Sequence, residues 1–381
     1  MDSLQPVLAV LARVLVGFSL AFLVPLLWAL GVGERAEAKV WAWGFGATLF
    51  VGWFMGWVLR HHTRELQPRD GFLLVTLTWV VLPACAAVPL LWTIPRIEWA
   101  DAYFEAMSAL TATGATALIG IDGLPVSVNV WRCFLQFIGG LGIILLVVAV
   151  LPLLGLGGMQ LYRAETPGPL KDDKLTPRIA ETARGLWTVY FMLSAACFLA
   201  YRAAGMNWAD AFMHMCTTMG LGGFSSHDAS FAYWDSPLLE AVAIVFMALS
   251  GISFLRYFAI WRTRSAVIVL RDAEVQAYLV VMIGAILVLT LVLAGNATYD
   301  THLAALRAAA FHVVSMATTT GYASTDYALW PAFGPVLLIF MGTFVSCAGS
   351  TGGGIKMVRM VLLLKQASRI SSTGPKAGHS A

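Results

Sequence analysis

Three glycine-centred turns stand at matched places in this 381-residue chain, and a long apolar run follows each one. They read Thr113-Gly114-Ala115-Thr116, Gly222-Gly223-Phe224-Ser225 and Thr320-Gly321-Tyr322-Ala323. Counted from Gly114, Gly223 and Gly321, a phenylalanine recurs at +23 (Phe137, Phe246, Phe344) and a glycine at +28 (Gly142, Gly251, Gly349). Fixed spacing over three copies predicts an internal repeat, with the copies disposed about a common axis.

Hydrophobic residues make up 59% of the chain and charged residues 12%, with a mean hydropathy of +0.78. Soluble domains carry about 25% charged residues, so the repeat is predicted to lie in a membrane. Apolar runs long enough to cross about 30 Å of hydrocarbon lie near residues 5–30, 39–59, 72–95, 130–156, 185–204, 237–261, 275–295 and 331–366. The first lacks a small-residue cleavage site behind it and is read as a retained helix. The pattern predicts an all-α polytopic membrane protein with about eight transmembrane helices. A leading helical pair (1–66) comes first. Three repeats of span, half-helix, filter turn and span follow (67–163, 164–271 and 272–366), then a polar tail (367–381). The five cysteines, Cys85, Cys133, Cys197, Cys216 and Cys347, are scattered along apolar segments and are expected as buried thiols.

Most of the 24 Lys and Arg residues fall on alternate connections, which the positive-inside rule places, with the amino terminus, on the cytoplasmic side. The glycine turns then open outward, beside Glu98, Asp101, Asp122, Asp210, Asp228, Asp235, Asp300 and Asp326. An acidic mouth concentrates cations.

Irregular backbone at membrane depth survives only where protein or a water-filled cavity satisfies its amides. Glycine permits the positive φ that turns successive carbonyls to one side, and rows of such oxygens replace the water shell of a monovalent cation. The candidate filter carbonyls are those of Ala112, Thr113 and Gly114, of Leu221, Gly222 and Gly223, and of Thr319, Thr320 and Gly321. A half-helix that ends at each turn adds a negative dipole end. The last apolar run is interrupted by Gly349-Ser350-Thr351-Gly352-Gly353-Gly354 and followed by Lys356. A cluster so rich in glycine breaks a helix, at about 1 kcal/mol per glycine relative to alanine, and marks a candidate gate.

The chain resembles the potassium-translocating membrane subunits of the Trk, Ktr and HKT transporters, most closely the bacterial Trk type. The resemblance rests on the stretches Met107–Thr116, Gly139–Gly142, Gly157–Glu165, Gly220–Asp228 and Ala317–Tyr322, and it extends from residue 1 to about 366. It implies uptake of K+ across the bacterial cytoplasmic membrane, with the turn glycines as selectivity filter and residues 349–354 as an intramembrane gate. A glycine in each turn implies preference for potassium, since sodium-permeable relatives carry serine at one such place. The resemblance further implies a homodimer with a pore in each subunit and a cytosolic, nucleotide-binding, TrkA-like regulatory partner. K+ is the transported ion, and no covalent cofactor is expected. Members of that family have four repeats where this sequence has three, so the expectation is either a truncated product, which is favoured, or a ring closed by a separate polypeptide or an oligomeric rearrangement. The competing expectation is a non-conducting membrane subunit that only binds the regulator.

Arg256 is read as a charge at the inner exit of the pore or, more simply, as a side chain reaching the headgroups. His214 and His312 are expected to be packed and hydrogen-bonded rather than pH-sensing. Lys171-Asp172-Asp173-Lys174 is a candidate docking loop. No span carries paired carboxylates, a metal-spaced His and Cys set, or a serine with a base at helical spacing, which argues against an intramembrane enzyme. The basic residues lack interleaved stacking aromatics, so no nucleic-acid partner is expected.

Overall fold

The computed structural model describes residues 4–60, 67–149, 176–265 and 267–372. The stretch Gly157–Glu165, the Lys171–Lys174 loop and the end of the tail lie outside the described residues.

The structure is helical throughout, with no strand among the described residues. Helix α1 (Gln5–Ser19) passes through a short 3-10 turn into α2 (Leu23–Val32), and α3 (Arg35–Val58) returns against both. Gly33, at φ 90°, ends α2 in the left-handed region that a side chain resists. The first repeat comprises α4 (Pro68–Thr93), the half-helix α5 (Trp99–Leu110) and α6 (Val126–Ala149). The second comprises α7 (Thr176–Ala203), the half-helix α8 (Trp208–Gly220), α9 (Pro237–Ser250) and α10 (Phe254–Thr263). After a four-residue helical turn at Val267–Leu270, the third comprises α11 (Ala273–Gly295), the half-helix α12 (His302–Ala317), α13 (Phe333–Met341) and α14 (Met357–Ser372). Each half-helix packs on the span before it, and the spans that follow the turns close around the half-helices.

Local chemistry starts these elements where the sequence changes character. Pro68 and Pro237 occupy first-turn positions, where a missing N–H costs nothing. Asn207 caps α8 by accepting the Asp210 N–H at 2.8 Å, and Thr301 caps α12 by accepting the Ala304 N–H at 3.1 Å. The Glu34 carboxylate, between α2 and α3, accepts the N–H groups of Val126 and Ser127 at 2.6 and 3.1 Å. The leading pair thereby caps the first span after a turn.

Among the described residues, four unbroken helical segments, Gln5–Val32, Arg69–Thr93, Thr182–Ala203 and Ala273–Gly295, are long and apolar enough to span a membrane. Two expected spans are broken. The run read as one helix over 237–261 bends by 83° between α9 and α10. There the Cys347 N–H bonds the Gly251 carbonyl and the Phe254 N–H bonds the Gly349 carbonyl, each at 3.0 Å, so the 347–349 backbone supplies partners at the interruption of the helix. The last run breaks from Gly342 to Lys356, earlier than the glycine cluster alone implies, and α14 runs on past residue 366 to Ser372.

Candidate filter and gate

All three half-helices end in the same way. The N–H of Thr113 bonds the Ser108 carbonyl at 2.9 Å, that of Gly222 bonds Thr217 at 3.0 Å, and that of Thr320 bonds Ser315 at 2.8 Å. One residue earlier, Ala112, Leu221 and Thr319 bond the carbonyls of Ala109, Thr218 and Met316. This is a Schellman closure, whose left-handed position glycine usually fills. Here it falls on Ala112 (φ 52°), Leu221 (φ 51°) and Thr319 (φ 60°). Left-handed backbone at a non-glycine residue costs on the order of 1–2 kcal/mol, and three copies of that strain make the turns the candidate functional backbone.

Two residues on, φ is positive again at Gly114 (78°), Gly223 (77°) and Gly321 (89°), and the intervening Thr113, Gly222 and Thr320 are not in that region. Left-handed residues alternating with others rotate successive peptide planes so that their carbonyls share a side. The turns also touch one another in sequence. A Cβ on Gly114 would lie 2.2 Å from the carbonyl oxygen of Gly222, and one on Gly223 would lie 1.9 Å from that of Thr320. A Cβ on Gly321 would meet nothing within 4 Å. The three turns thus follow each other around one centre, with turn 2 in the middle. Leu221, Gly222 and Thr320 are buried, whereas Thr113 and Gly321 are exposed on the side where no neighbouring turn sits.

The nine candidate carbonyl residues therefore come together in one place. Behind them is a buried polar layer of which the sequence reading singled out only the histidines. Arg132 on α6 and Glu105 on α5 are fully buried and paired at 2.6 Å. Arg132 also donates to Asn129 and Thr116 and lies over the Phe224 ring at 4.5 Å, while Glu105 accepts from the Thr116 hydroxyl and the Ala117 N–H. The signal was available, because a charge inside an apolar span is a functional candidate by default. Removing one partner of such a pair costs about 3–5 kcal/mol. Arg132→Leu is expected to lower the melting temperature of the purified protein sharply, and the double variant Arg132→Leu/Glu105→Leu to recover much of the loss.

Tyr322, next to Gly321, sends its hydroxyl to Thr217 and to Thr218 (3.1 Å), tying turn 3 to half-helix α8. His214 bonds the Asp210 carbonyl at 2.9 Å and the Ser225 hydroxyl at 3.0 Å, and His312 bonds the Ala308 carbonyl at 2.8 Å. Both are fully buried, as packed and hydrogen-bonded histidines should be.

In the loop after turn 2, His227 bridges Asp122 and Asp210 and stacks on Tyr233 at 3.5 Å. Burial lowers its pKa, but hydrogen bonds to Asp210 and Asp122 outweigh this and hold it above 6.5. The Asp228 N–H, foremost, and His227 hold the Asp122 carboxyl below its ordinary range. A raised histidine pKa adds stability that is complete below the unfolded value near 6.5 and lost as pH rises through the folded one. Melting temperature should therefore fall with rising pH above about 6.5, and His227→Asn should flatten that slope.

The gate candidates lie against the turns. Thr351 donates to the Met219 carbonyl at 3.1 Å, and the Gly353 N–H donates to the Thr319 hydroxyl at 2.7 Å. Gly349 and Gly354 are left-handed at φ 75° and 74°. Ser350 turns back to the Cys347 carbonyl at 2.7 Å, Ser346 donates to the Gly353 carbonyl at 2.7 Å, and Lys356 donates to that of Gly352. Glu274, which no pattern in the sequence singles out, is buried in the first turn of α11, and its Oε1 accepts the N–H of Ala348 at 2.7 Å and of Val358 at 3.3 Å. One carboxylate thus fastens the middle of the break to the start of α14. Arg256 pairs with Asp272 at 2.5 Å, next to the same clamp, rather than standing as an isolated charge at an exit.

Three re-entrant half-helices, each closed by a strained turn that meets its neighbours at one centre, make a recognisable plan, and residues 39–377 match the profile of TrkH, described as a cation transport protein. The chain belongs to the TrkH family. It is 46% identical over 326 residues to the Trk system potassium uptake protein TrkH of Salmonella typhimurium, covering 85% of this chain and 68% of that protein. Identity to the TrkH of Halomonas elongata is 45% over 370 residues, covering 96% of this chain and 76% of that protein. The crystal structure of the potassium transporter TrkH from Vibrio parahaemolyticus superposes with a TM-score of 0.89 at 38% identity, over 99% of this chain and 78% of that one. The chain is thus a multi-pass membrane protein of a cation-transporting family.

Proposed function

We propose that the chain moves potassium into the cell across the bacterial cytoplasmic membrane, through a filter made of the backbone carbonyls at 112–114, 221–223 and 319–321. The observation that carries this is the shared turn geometry: strained backbone repeated three times, with one turn's carbonyl pressed on the next turn's glycine. Partly dehydrated carbonyls in such a ring suit a monovalent cation, and the half-helix ends add negative potential. Residues 349–354 with Lys356 act as the gate, held against the filter by the Thr351 and Gly353 contacts. The repeats run 67–163, 164–271 and 272–366 after the leading pair, with the amino terminus cytoplasmic and the turns facing outward. A homodimer and a cytosolic nucleotide-binding subunit complete the transport system.

A second reading is favoured by one observation. A Cβ on Gly321 would meet nothing within 4 Å and Thr113 is exposed, so the centre is open beside these two residues. On this reading the oxygens of three turns do not suffice to hold the ion, and the chain serves as a membrane subunit that binds the regulator without conducting. Growth of an uptake-deficient bacterium on limiting potassium separates the two: rescue by this chain supports conduction, and failure of a well-expressed, folded chain supports the non-conducting subunit.

A further inference from the structure

Gln136 lies on α6 one helical turn beyond Arg132, on the face that also carries Asn129, and it is fully buried. Its Nε2 donates to the Gly222 carbonyl at 2.8 Å, and its Oε1 accepts the Phe224 N–H at 3.2 Å. The two partners are a pure acceptor and a pure donor, so only one amide orientation satisfies both. The fit is tight, since a Cβ on Gly222 would lie 2.3 Å from the Gln136 Cδ. At the same +22 position the other repeats have Val245 and Thr343, and the Thr343 hydroxyl is spent on the Phe340 carbonyl. The Gln136 brace therefore acts on turn 2 and has no counterpart at turn 3.

We infer that Gln136 is a positioning residue that sets cation preference at the filter; this rests on the filter reading above. An N–H shared with the Gly222 carbonyl weakens the field that oxygen presents to an ion and fixes its distance from the centre. Number and field strength of carbonyls both bear on the choice between K+ and Na+. Without the donor, the oxygen is free to close on a smaller ion and presents its full field, so preference moves toward Na+.

The test uses the purified chain in detergent, with its melting temperature followed during titration with KCl or NaCl. The wild type should reach half-maximal stabilisation at lower K+ than Na+. Gln136→Leu removes both bonds. Gln136→Met removes them as well at closely matched length and volume, which guards against simple misfolding. In each variant the ratio of the two half-points should fall roughly tenfold, the effect of one hydrogen bond of ordinary net strength. An unchanged ratio in a folded variant, or equal loss of response to both ions, would make Gln136 a packing residue and overturn the inference. A wild type that responds alike to K+ and Na+ would instead sink the filter reading itself.

Discussion

Alanine at Gly223 is expected to abolish potassium uptake, while alanine at Gly321 leaves a folded protein with a partial defect. Both glycines are left-handed, and each substitution costs on the order of 1–2 kcal/mol in backbone strain. They differ in what a methyl group meets. At Gly223 it would lie 1.9 Å from the Thr320 carbonyl oxygen, so turn 2 or turn 3 must move; at Gly321 it enters open space. Overpacking of this kind adds roughly 1–3 kcal/mol, and it displaces the very oxygen proposed to bind the ion. Initial rates of uptake of a potassium tracer, at matched expression, should fall about 100-fold or more for G223A and about tenfold for G321A, taking 1.4 kcal/mol as a factor of ten. Equal effects at the two positions would mean that the turns do not hand over to one another as described.

The second large effect is expected at Glu274. In Glu274→Ala the N–H of Ala348 loses its acceptor in a buried setting, at about 1–3 kcal/mol, and the half-buried N–H of Val358 loses its acceptor too. The middle of the 342–356 break is then no longer held to the start of α14. The expected outcome is a marked drop in melting temperature with faster proteolysis between residues 342 and 356. Glu274→Gln retains the oxygen that serves both donors and should stay close to wild type. A Gln variant as damaged as the Ala variant would show that the charge matters rather than the two bonds.

Much of this architecture was legible in the sequence because it is written in spacing. The matched Gly114, Gly223 and Gly321 gave the repeat, and the turns do converge. The glycine-rich 349–354 segment foretold a break, since little else holds so many glycines in an apolar run. Strain at Ala112, Leu221 and Thr319 was not legible, because left-handed backbone there is imposed by helix closure and neighbouring turns on residues that do not favour it. The 83° bend after Ser250 was hidden for a related reason. Residues 237–261 read as one apolar helix, and the bend depends on backbone bonds to Cys347 and Gly349, nearly a hundred positions away. Gln136 and Glu274 were missed because a lone polar residue in a span does not announce its partners.

The most direct measurement is anomalous diffraction from crystals of this protein grown with Rb+ or Tl+ in place of K+. A peak is expected at the centre of the turns, within coordination distance of carbonyls from all three and absent from G223A crystals. A clean centre, with the heavy cation bound elsewhere or nowhere, would contradict the claim that these carbonyls hold the ion.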